Sequence, residues 1–399
     1  MSRTIKISLF PLMSILLFHT SIVKIAYVSN YNSIAMIFGI IILIYLIPKK
    51  IIFSKKYANI NISLLIFSFI FIFTSFYNKT NIDGSILYII KVVSLFIFIE
   101  YANEKNKIQK LSKIFFLLSF IYLLSTYYLI LKDPLLAWKN NLNYLIGTKF
   151  SVSYMGISTA VLYFFTYKEK VQKNTIFKII GLSIICFSMF LASKVSCSTG
   201  LIGNVIFLVL LLIPIKNIKK ILAKPIVPLI IFIFCCSILM IGYNLFVNID
   251  FIRYIVEDVL NKSLTLTGRM YVYNNIMPYI KEGFFFGYGY NSVYSLFNNV
   301  MYIGKDAYAL TAQNAILEYW LYSGIFGVIN LFVIMYFTLK NNYENTYYEK
   351  HNKYYPYLAG LLVLIILGMV EITINMYFFM FLAFLNLGNS KYEKSKEEN

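Results

Sequence analysis

The chain has 399 residues, of which 59% are hydrophobic and only 13% are charged. A soluble domain carries about 25% charged residues, so this composition excludes a soluble enzyme, a nucleic-acid-binding protein and a disordered chain, and it indicates a protein of the lipid bilayer. The net charge of +19 comes mostly from lysines that cluster between apolar runs, which is typical of membrane-protein loops.

Twelve apolar segments are predicted to span the membrane as helices, several of them with the help of tilt or local thinning of the bilayer. The predicted segments are 7–23, 33–47, 60–76, 86–99, 114–131, 152–167, 176–192, 201–213, 226–246, 315–339, 357–370 and 375–387. The last two have an alternative as one helix broken near Glu371, and Lys91 is a charged residue inside the fourth. The predicted fold class is all-α, a polytopic integral membrane protein with about 12 transmembrane helices and one large outward-facing loop.

Lysine and arginine residues concentrate in alternate loops, and this bias predicts the orientation of the chain. Both termini are predicted to lie in the cytoplasm, and the long connection 247–314 is predicted to lie outside. The organisation is therefore residues 1–246 with transmembrane helices 1–9, the extracytoplasmic loop 247–314 with short amphipathic helices, residues 315–390 with transmembrane helices 10–12, and a cytoplasmic tail at 391–399.

The cysteines and histidines do not form a metal-binding pattern. Cys186, Cys235 and Cys236 lie inside apolar runs, and no CxxC is present. His19 and His351 lie on different segments, far apart in the sequence. We expect neither a metal site nor a cofactor.

The outer loop opens with an amphipathic segment, residues 250–261, which is predicted to lie along the membrane surface as a helix. Its charged residues Arg253 and Glu257 are expected to reach into water rather than to form a site. Arginine is rare in this chain and occurs otherwise only at Arg3 and Arg269.

Arg269 is the leading candidate functional residue of the loop. Thr267 is suited to cap a helix that begins near Arg269. A cation in the first turn opposes the helix dipole, so local stability does not account for this arginine. Free backbone N–H groups, the dipole and the guanidinium group together suit phosphate or pyrophosphate. We therefore predict that Arg269 binds an anion.

A tight turn follows, within residues 284–291. Gly287 and Gly289 are expected to adopt positive φ angles. Tyr288 and Tyr290 offer aromatic faces with polar tips, which suit stacking on sugars as well as simple anchoring at the headgroup level.

The loop ends in a polar group of residues at the start of the tenth predicted span. Gln313 and Asn314 are expected at the membrane surface, and Glu318 lies early in the helix. Gly324 and Gly327 would permit close contact with another helix.

These motifs resemble the O-antigen polymerase and O-antigen ligase superfamily, which includes Wzy-type polysaccharide polymerases. The family pattern has T-G-R, G-x-G, H-N-x-x-L and G-I-x-G in one large outer loop late in the chain. The corresponding segments here are 267–269, 287–289, 313–317 and 324–327. Their order, their spacing and the topology together carry the resemblance.

The chain departs from the family pattern in two places. Gln313 stands where the family often has histidine, and glutamine cannot accept a proton. Ser198 stands where an earlier outer turn often has arginine. The nearby Lys194 is expected to supply the positive charge of that arginine but not its bidentate hydrogen bonding. Because the resemblance implies that ligases depend on the histidine, its absence favours a polymerase.

The resemblance implies an oligosaccharide repeat-unit polymerase in the bacterial cytoplasmic (inner) membrane, acting in O-antigen, capsule or other surface polysaccharide biosynthesis. Its implied partners are the lipid bilayer, polyprenyl-pyrophosphate-linked oligosaccharides such as undecaprenyl pyrophosphate derivatives, a flippase and a chain-length regulator, with no nucleic acid. The alternatives are an O-antigen ligase and a lipid-linked oligosaccharide flippase or transporter. An internal repeat, which many transporters have, is not visible.

The resemblance and the residue chemistry together define the candidate site. The predicted catalytic residues are Arg269, Gln313, Glu318 and Glu371. The predicted substrate-binding residues are Lys194, Thr267, Gly268, Tyr288, Tyr290, Asn291 and Asn314. A carboxylate is expected to deprotonate the acceptor hydroxyl, and the candidates are Glu257, Asp258, Glu282, Asp306, Glu318 and Glu371.

Overall fold

The computed structural model describes residues 8–28, 30–49, 55–135, 143–213, 216–246, 269–297, 311–348 and 353–390, together with positions 249–250, 254, 258, 302–304 and 307–308. The helices are α1 (Phe10–Leu17), α2 (Tyr31–Leu46), α3 (Ala58–Tyr77), α4 (Ile82–Glu104), α5 (Ile108–Lys132), α6 (Lys149–Thr166), α7 (Lys168–Lys173), α8 (Thr175–Lys194), α9 (Ser198–Leu212), α10 (Lys216–Ala223), α11 (Ile226–Phe246), α12 (Arg269–Glu282), α13 (Val293–Phe297), α14 (Ala315–Tyr348), α15 (Tyr355–Leu367) and α16 (Met376–Leu385). A π-helical turn, Phe18–Ile22, continues α1.

The predicted helical membrane fold is confirmed. Within the described residues, the strands are the short antiparallel pair β1 (Tyr302–Gly304) and β2 (Ala307–Tyr308). Each of the twelve predicted apolar segments coincides with a helix, because backbone groups in lipid must bond within their own segment.

The predicted number of spans is confirmed only in part. Among the described residues, 5 helices are long and apolar enough to cross a membrane, or up to 6 when a pair bent by 75° counts as one span. These are Lys55–Tyr77, Ile82–Glu104, Ile108–Lys132, Thr175–Lys194, Ala315–Tyr343 and the bent pair Asn217–Ala223 with Ile226–Ile238. Other apolar helices have 10–17 residues, so the count of twelve and the orientation of the termini stay predictions.

Helix α3 shows why these helices belong in lipid. One face buries Leu64, Phe67 and Phe71, while another exposes large apolar side chains, with Phe69 68% and Phe76 71% exposed. A helix of a soluble protein carries polar residues on its exposed face. A helix that is apolar on both faces contacts protein on one side and hydrocarbon on the other.

The chain divides into two compact units, and the first comprises residues 1–54, 90–211 and 353–360. Aromatic rings form much of its core: Phe18 lies 5.4 Å from Phe115, and Phe165 lies 4.8 Å from Tyr357. Gly156 allows α6 and α8 to approach closely, because a Cβ atom there would collide with the Ser188 side chain.

The second unit comprises residues 55–89, 212–352 and 361–399 and contains the predicted site segments other than Lys194. Helix α14 packs against α3, where the Asn330 side-chain amide donates to the Ser63 carbonyl over 3.2 Å. The Asn341 amide donates to the Asn386 side chain over 2.7 Å. The loop 247–314 contributes α12, α13 and the strand pair, while most of its first amphipathic segment lies outside the described residues.

Candidate active site at the start of helix α14

Helix α12 begins at Arg269, as predicted, and its apolar face ties the loop to α14. Val272, Tyr273, Ile276 and Ile280 are buried and repeat with helical spacing. They pack in one cluster with Val293, Ala312, Leu317 and Leu321. Burial of this face is the force that folds the loop against the helix that follows it.

The buried hydroxyl of Tyr273 joins two further segments. It lies 3.0 Å from the Gln313 carbonyl oxygen and 2.9 Å from the Met369 carbonyl oxygen. Tyr273 is 2% exposed, so its single proton is shared between two acceptors inside the protein. Because Tyr273 lies one helical turn after Arg269, the two residues are about 6 Å apart along the axis of α12.

A backbone hydrogen bond strengthens the same junction. The Ala315 amide, at the start of α14, donates to the Gly368 carbonyl over 2.9 Å. Gly368 and Met369 belong to the turn that follows α15 and leads to Glu371, which is 6% exposed. The segments that carry Arg269, Gln313 and Glu371 therefore converge on one place.

Glu318 holds the backbone that precedes α14. Its carboxylate is 1% exposed. One oxygen accepts the Ala312 amide proton over 2.7 Å, and the other accepts a short hydrogen bond from the Tyr322 hydroxyl. A buried carboxylate is tolerated only when such donors replace water, so Glu318 constrains the turn that presents Gln313.

Tyrosine rings surround this carboxylate. Tyr290 stacks on Tyr88 with 4.8 Å between centroids and lies 5.5 Å from Tyr322. Burial, together with the negative charge of Glu318, raises the pKa of Tyr290 to about 12. The Tyr319 hydroxyl is buried without a hydrogen-bond partner among the described residues. At neutral pH, Tyr290 is therefore a hydrogen-bond donor and not a base.

The glycine turn is inserted into a break in α14. Gly324 has φ +65° and interrupts the helix. The freed carbonyls of Leu321 and Tyr322 accept the amides of Tyr288 and Gly289 over 2.7 and 3.1 Å. Such a break at membrane depth persists only when other groups satisfy the backbone.

The exchange of hydrogen bonds at this break is reciprocal. The Ile325 amide donates to the Phe284 carbonyl over 2.8 Å, and the Trp320 indole donates to the same carbonyl over 3.0 Å. Gly287 and Gly289 have φ +60° and +88°, so the predicted positive φ angles are confirmed. The G-x-G and G-I-x-G motifs therefore form one docked structure.

A comparison with protein families bears on this site. Residues 180–332 match a family model described as O-antigen ligase. This part of the chain is similar to the O-antigen ligase family. The predicted resemblance to the O-antigen polymerase and ligase superfamily is thereby confirmed. No curated protein matches the chain.

The matched residues include Arg269, Gln313 and Glu318, whereas Glu371 lies beyond the last matched residue. Members of this family are membrane glycosyltransferase-like enzymes. The match therefore indicates a similarity to O-antigen ligases over residues 180–332, in a chain with helices long and apolar enough to cross a membrane.

Gln313 has an unusual backbone conformation within the matched residues. Its φ is +49°, in the left-handed region that non-glycine residues seldom adopt. Its side chain is half-buried, and the side-chain amide forms no hydrogen bond with another described residue. The Tyr273 bond to its carbonyl helps to maintain this conformation.

Asn314, a predicted substrate-binding residue, is buried, and both its side-chain oxygen and its side-chain amide form hydrogen bonds within the protein. Its side-chain oxygen accepts the amides of Ile316 and Leu317 over 3.2 Å, which caps α14. Its side-chain amide donates to the Cys236 carbonyl over 2.9 Å. These contacts give Asn314 a structural role.

The other predicted substrate-binding residues occupy different surroundings. The Tyr288 hydroxyl donates to the Tyr279 carbonyl and to Glu282 over 3.1 and 3.2 Å, and burial, followed by the charge of Glu282, raises its pKa to about 12. Asn291 is exposed with φ +60°. Lys194 is exposed at the end of α8, with its ammonium 5.4 Å from the Phe190 ring.

Some predicted positions cannot be compared with the structure. Thr267 and Gly268 lie outside the described residues, and of Arg269 the backbone alone is described. Within the described residues, no three His, Cys, Asp or Glu side chains are grouped to hold a metal ion. Tyr273 and Tyr322 were not predicted from the sequence; the helical spacing of Val272, Ile276 and Ile280 is the signal that places Tyr273 on the buried face of α12.

Proposed function

We propose that the protein is an oligosaccharide repeat-unit polymerase that joins polyprenyl-pyrophosphate-linked glycans on the outer face of the bacterial cytoplasmic membrane. The observation that carries this proposal is the junction at Tyr273, which brings the helix that begins at Arg269 to the Gln313 segment and to the turn before Glu371. Three segments from distant parts of the sequence meet there, and two of them lie within the residues that match a family of membrane glycosyltransferase-like enzymes.

The proposed reaction is a single glycosyl transfer between two lipid-linked substrates. A hydroxyl oxygen of one glycan attacks the anomeric carbon of the other. The bond between that carbon and the pyrophosphate oxygen breaks, polyprenyl pyrophosphate leaves with the electron pair, and the hydroxyl proton passes to a base. Because pyrophosphate is a good leaving group, the protein mainly positions the substrates and stabilises the developing negative charge.

Arg269 is the proposed ligand of the departing pyrophosphate. It is the first residue of α12, where the first-turn backbone amides have no partner within the helix and the positive end of the helix dipole favours an anion. Gln313 is proposed to orient the acceptor hydroxyl, since its amide makes no hydrogen bond with another described residue.

We assign the two converging carboxylates different roles. Both oxygens of Glu318 already accept protein hydrogen bonds, which supports a positioning role. Glu371 lies on the turn next to the Tyr273 junction, and it is the proposed proton acceptor. Lys194, Thr267, Gly268, Tyr288, Tyr290 and Asn291 stay proposed substrate contacts.

A ligase is the second candidate, because the matching family model is described as O-antigen ligase. Gln313 is the feature that favours the polymerase, since an amide cannot take the proton that a histidine at this position could accept. A flippase and a chain-length regulator are the proposed cellular partners of the polymerase.

The decisive experiment uses the purified full-length protein in lipid with one lipid-linked repeat unit as both donor and acceptor. A polymerase produces a ladder of lengthening chains and releases polyprenyl pyrophosphate. A ligase produces product only when a different, lipid-anchored acceptor glycan is added. A flippase moves the substrate between leaflets without lengthening it, which would refute the proposed function.

A further inference from the structure

Aromatic side chains form an exposed patch where the glycine turn meets helices α3 and α14. This aromatic patch comprises Phe73 and Tyr77 of α3, Phe284, Phe285 and Phe286 of the turn, and Phe326 of α14. The Phe286 ring lies 5.3 Å from the Phe73 ring and 5.8 Å from the Phe326 ring. The patch is therefore one continuous surface, although its rings come from three segments of the chain.

The rings of the patch face outward but have fixed places. The Phe285 side chain is 58% exposed, and the Tyr77 side chain is 64% exposed. The Phe285 ring lies 6.0 Å from the Phe326 ring and 5.1 Å from the Phe284 ring, and the Trp320 indole ties the Phe284 carbonyl to α14. Exposure of three consecutive phenylalanines to water is unfavourable, so this surface calls for an apolar partner.

The tyrosines of the same turn make their contacts inside the protein. Tyr290 stacks on Tyr88, and the Tyr288 hydroxyl donates to the Tyr279 carbonyl. The anchoring at the headgroup level that the sequence allows for Tyr288 and Tyr290 therefore falls to the phenylalanines that precede them.

Exposed charges lie close to the aromatic patch in the sequence. Glu282 is exposed at the end of α12, two residues before Phe284. Lys79 is exposed two residues after Tyr77, the last residue of α3. Charged groups and aromatic rings at such close spacing are typical of the boundary between the lipid headgroups and the hydrocarbon.

The surface that the patch continues identifies its partner. Helix α3 exposes Phe69 to hydrocarbon, and the Phe69 ring stacks on the Phe73 ring over 5.9 Å. Helix α14 exposes Ile329 three residues after Phe326. A second copy of the chain would have to displace lipid from this face, whereas the bilayer reaches the patch as an extension of a contact that it already makes.

We propose that Phe284, Phe285 and Phe286 form a wedge that inserts into the bilayer at the boundary between headgroups and hydrocarbon. Its partner is the acyl chains of the leaflet that the loop 247–314 faces. The wedge fixes the depth of the glycine turn and thereby the depth of the break at Gly324. The proposal does not rest on the proposed function, because insertion is measured without glycosyl transfer.

The test uses the fluorescence of Trp320, whose ring lies 5.3 Å from the Phe284 ring. The chain has two tryptophans, so Trp138→Phe leaves Trp320 as the single fluorophore. This full-length variant is placed in phosphatidylcholine vesicles that contain lipids brominated near the ester group or near the end of the acyl chain. Iodide serves as the quencher in water. We expect strong quenching by bromine near the ester group and weak quenching by chain-end bromine and by iodide.

Two substitutions at Phe285 in the Trp138→Phe background test the wedge itself. Phe285→Glu places a charge in hydrocarbon and should expel the turn from the bilayer. Most of the quenching by brominated lipid should be lost, and quenching by iodide should increase. Phe285→Leu is the matched control, since it keeps an apolar side chain and should retain the lipid quenching. The melting temperature shows whether each variant folds.

The other results would overturn the proposal. Quenching of Trp320 by iodide alone would place the patch in water. Quenching by neither agent would place it under a protein surface such as a second copy of the chain. Strongest quenching by chain-end bromine would exclude the boundary position, and equal lipid quenching in a folded Phe285→Glu variant would exclude the wedge. If Phe285→Glu does not fold, the quenching pattern of the Trp138→Phe chain still separates lipid from water and from protein.

Discussion

The Tyr273 hydroxyl lies 3.0 Å from the Gln313 carbonyl oxygen, and this contact joins two motifs that are 40 residues apart in the sequence. It also links both to Met369, in the turn that precedes Glu371. The contact holds Gln313 in a left-handed backbone conformation and places the start of α12 one turn away. The arrangement of the proposed site therefore depends on buried Tyr273, whose hydroxyl reaches backbone carbonyl oxygens of two other segments.

Arg269→Ala is expected to abolish polymer formation while the protein still inserts into the membrane. Loss of a hydrogen-bond donor to the departing pyrophosphate costs roughly 2–4 kcal/mol of transition-state stabilisation, which lowers the rate about a hundredfold to a thousandfold. Arg269→Lys should stay strongly impaired, because an ammonium lacks the two-pronged contact. Chain length is measured on gels and normalised to inserted protein, with Lys281→Ala at the opposite end of α12 as control. Normal long chains from Arg269→Ala would disprove the role.

Gln313→His and Gln313→Leu should differ in activity per inserted molecule. Histidine offers a hydrogen-bond donor at similar reach and should be tolerated. Leucine leaves polar substrate groups unpaired, at a cost of about 1–3 kcal/mol. If Gln313 only supports the start of α14, Gln313→Leu will lower thermal stability a little and leave the specific activity unchanged.

Substitution of Glu318 and Glu371 should separate positioning from proton transfer. Glu318→Gln keeps an oxygen that can accept the Ala312 amide, so it should retain partial activity. Glu371→Gln removes the proposed base and should retain almost none. Initial rates of chain growth are compared with Glu169→Gln, an exposed control in α7 that is outside the proposed site. The opposite ranking, with Glu318→Gln inactive and Glu371→Gln active, would exchange the two assignments.

Gly289→Ala is expected to release the glycine turn from the break in α14. Gly289 has φ +88°, and a Cβ atom would collide with the Thr80 side chain and press on the Ser75 backbone. We expect a lower melting temperature and faster proteolysis of the loop. Asn291→Gly, at φ +60°, should leave stability equal or slightly higher, since glycine adopts this conformation without strain. Unchanged protease resistance in Gly289→Ala would argue against the docked turn.

The orientation of the loop can be tested by labelling in whole cells. The chain has four native cysteines, of which Cys186 is exposed, so all are first replaced by serine. Asn298→Cys in that background should react with a membrane-impermeant thiol reagent in intact cells, because the distribution of basic residues predicts an outward loop. Reaction only after lysis would reverse the topology.

The sequence by itself determined the local features of this protein. Apolar segments in lipid must satisfy their own backbone hydrogen bonds, so each predicted segment is a helix. The start of α12 at Arg269 and the positive φ angles of Gly287 and Gly289 are also properties of short stretches. Residue chemistry over a few positions is sufficient to predict such features.

Only the tertiary structure decided which side chains meet. Asn314 looked like a surface residue, but its amide bonds to Cys236, 78 residues away, and so it is part of the framework. The amides of Tyr288 and Gly289 find partners in the Leu321 and Tyr322 carbonyls because α14 breaks at Gly324 and accepts the glycine turn. Contacts between distant segments arise from simultaneous packing of several helices, and no local spacing encodes them.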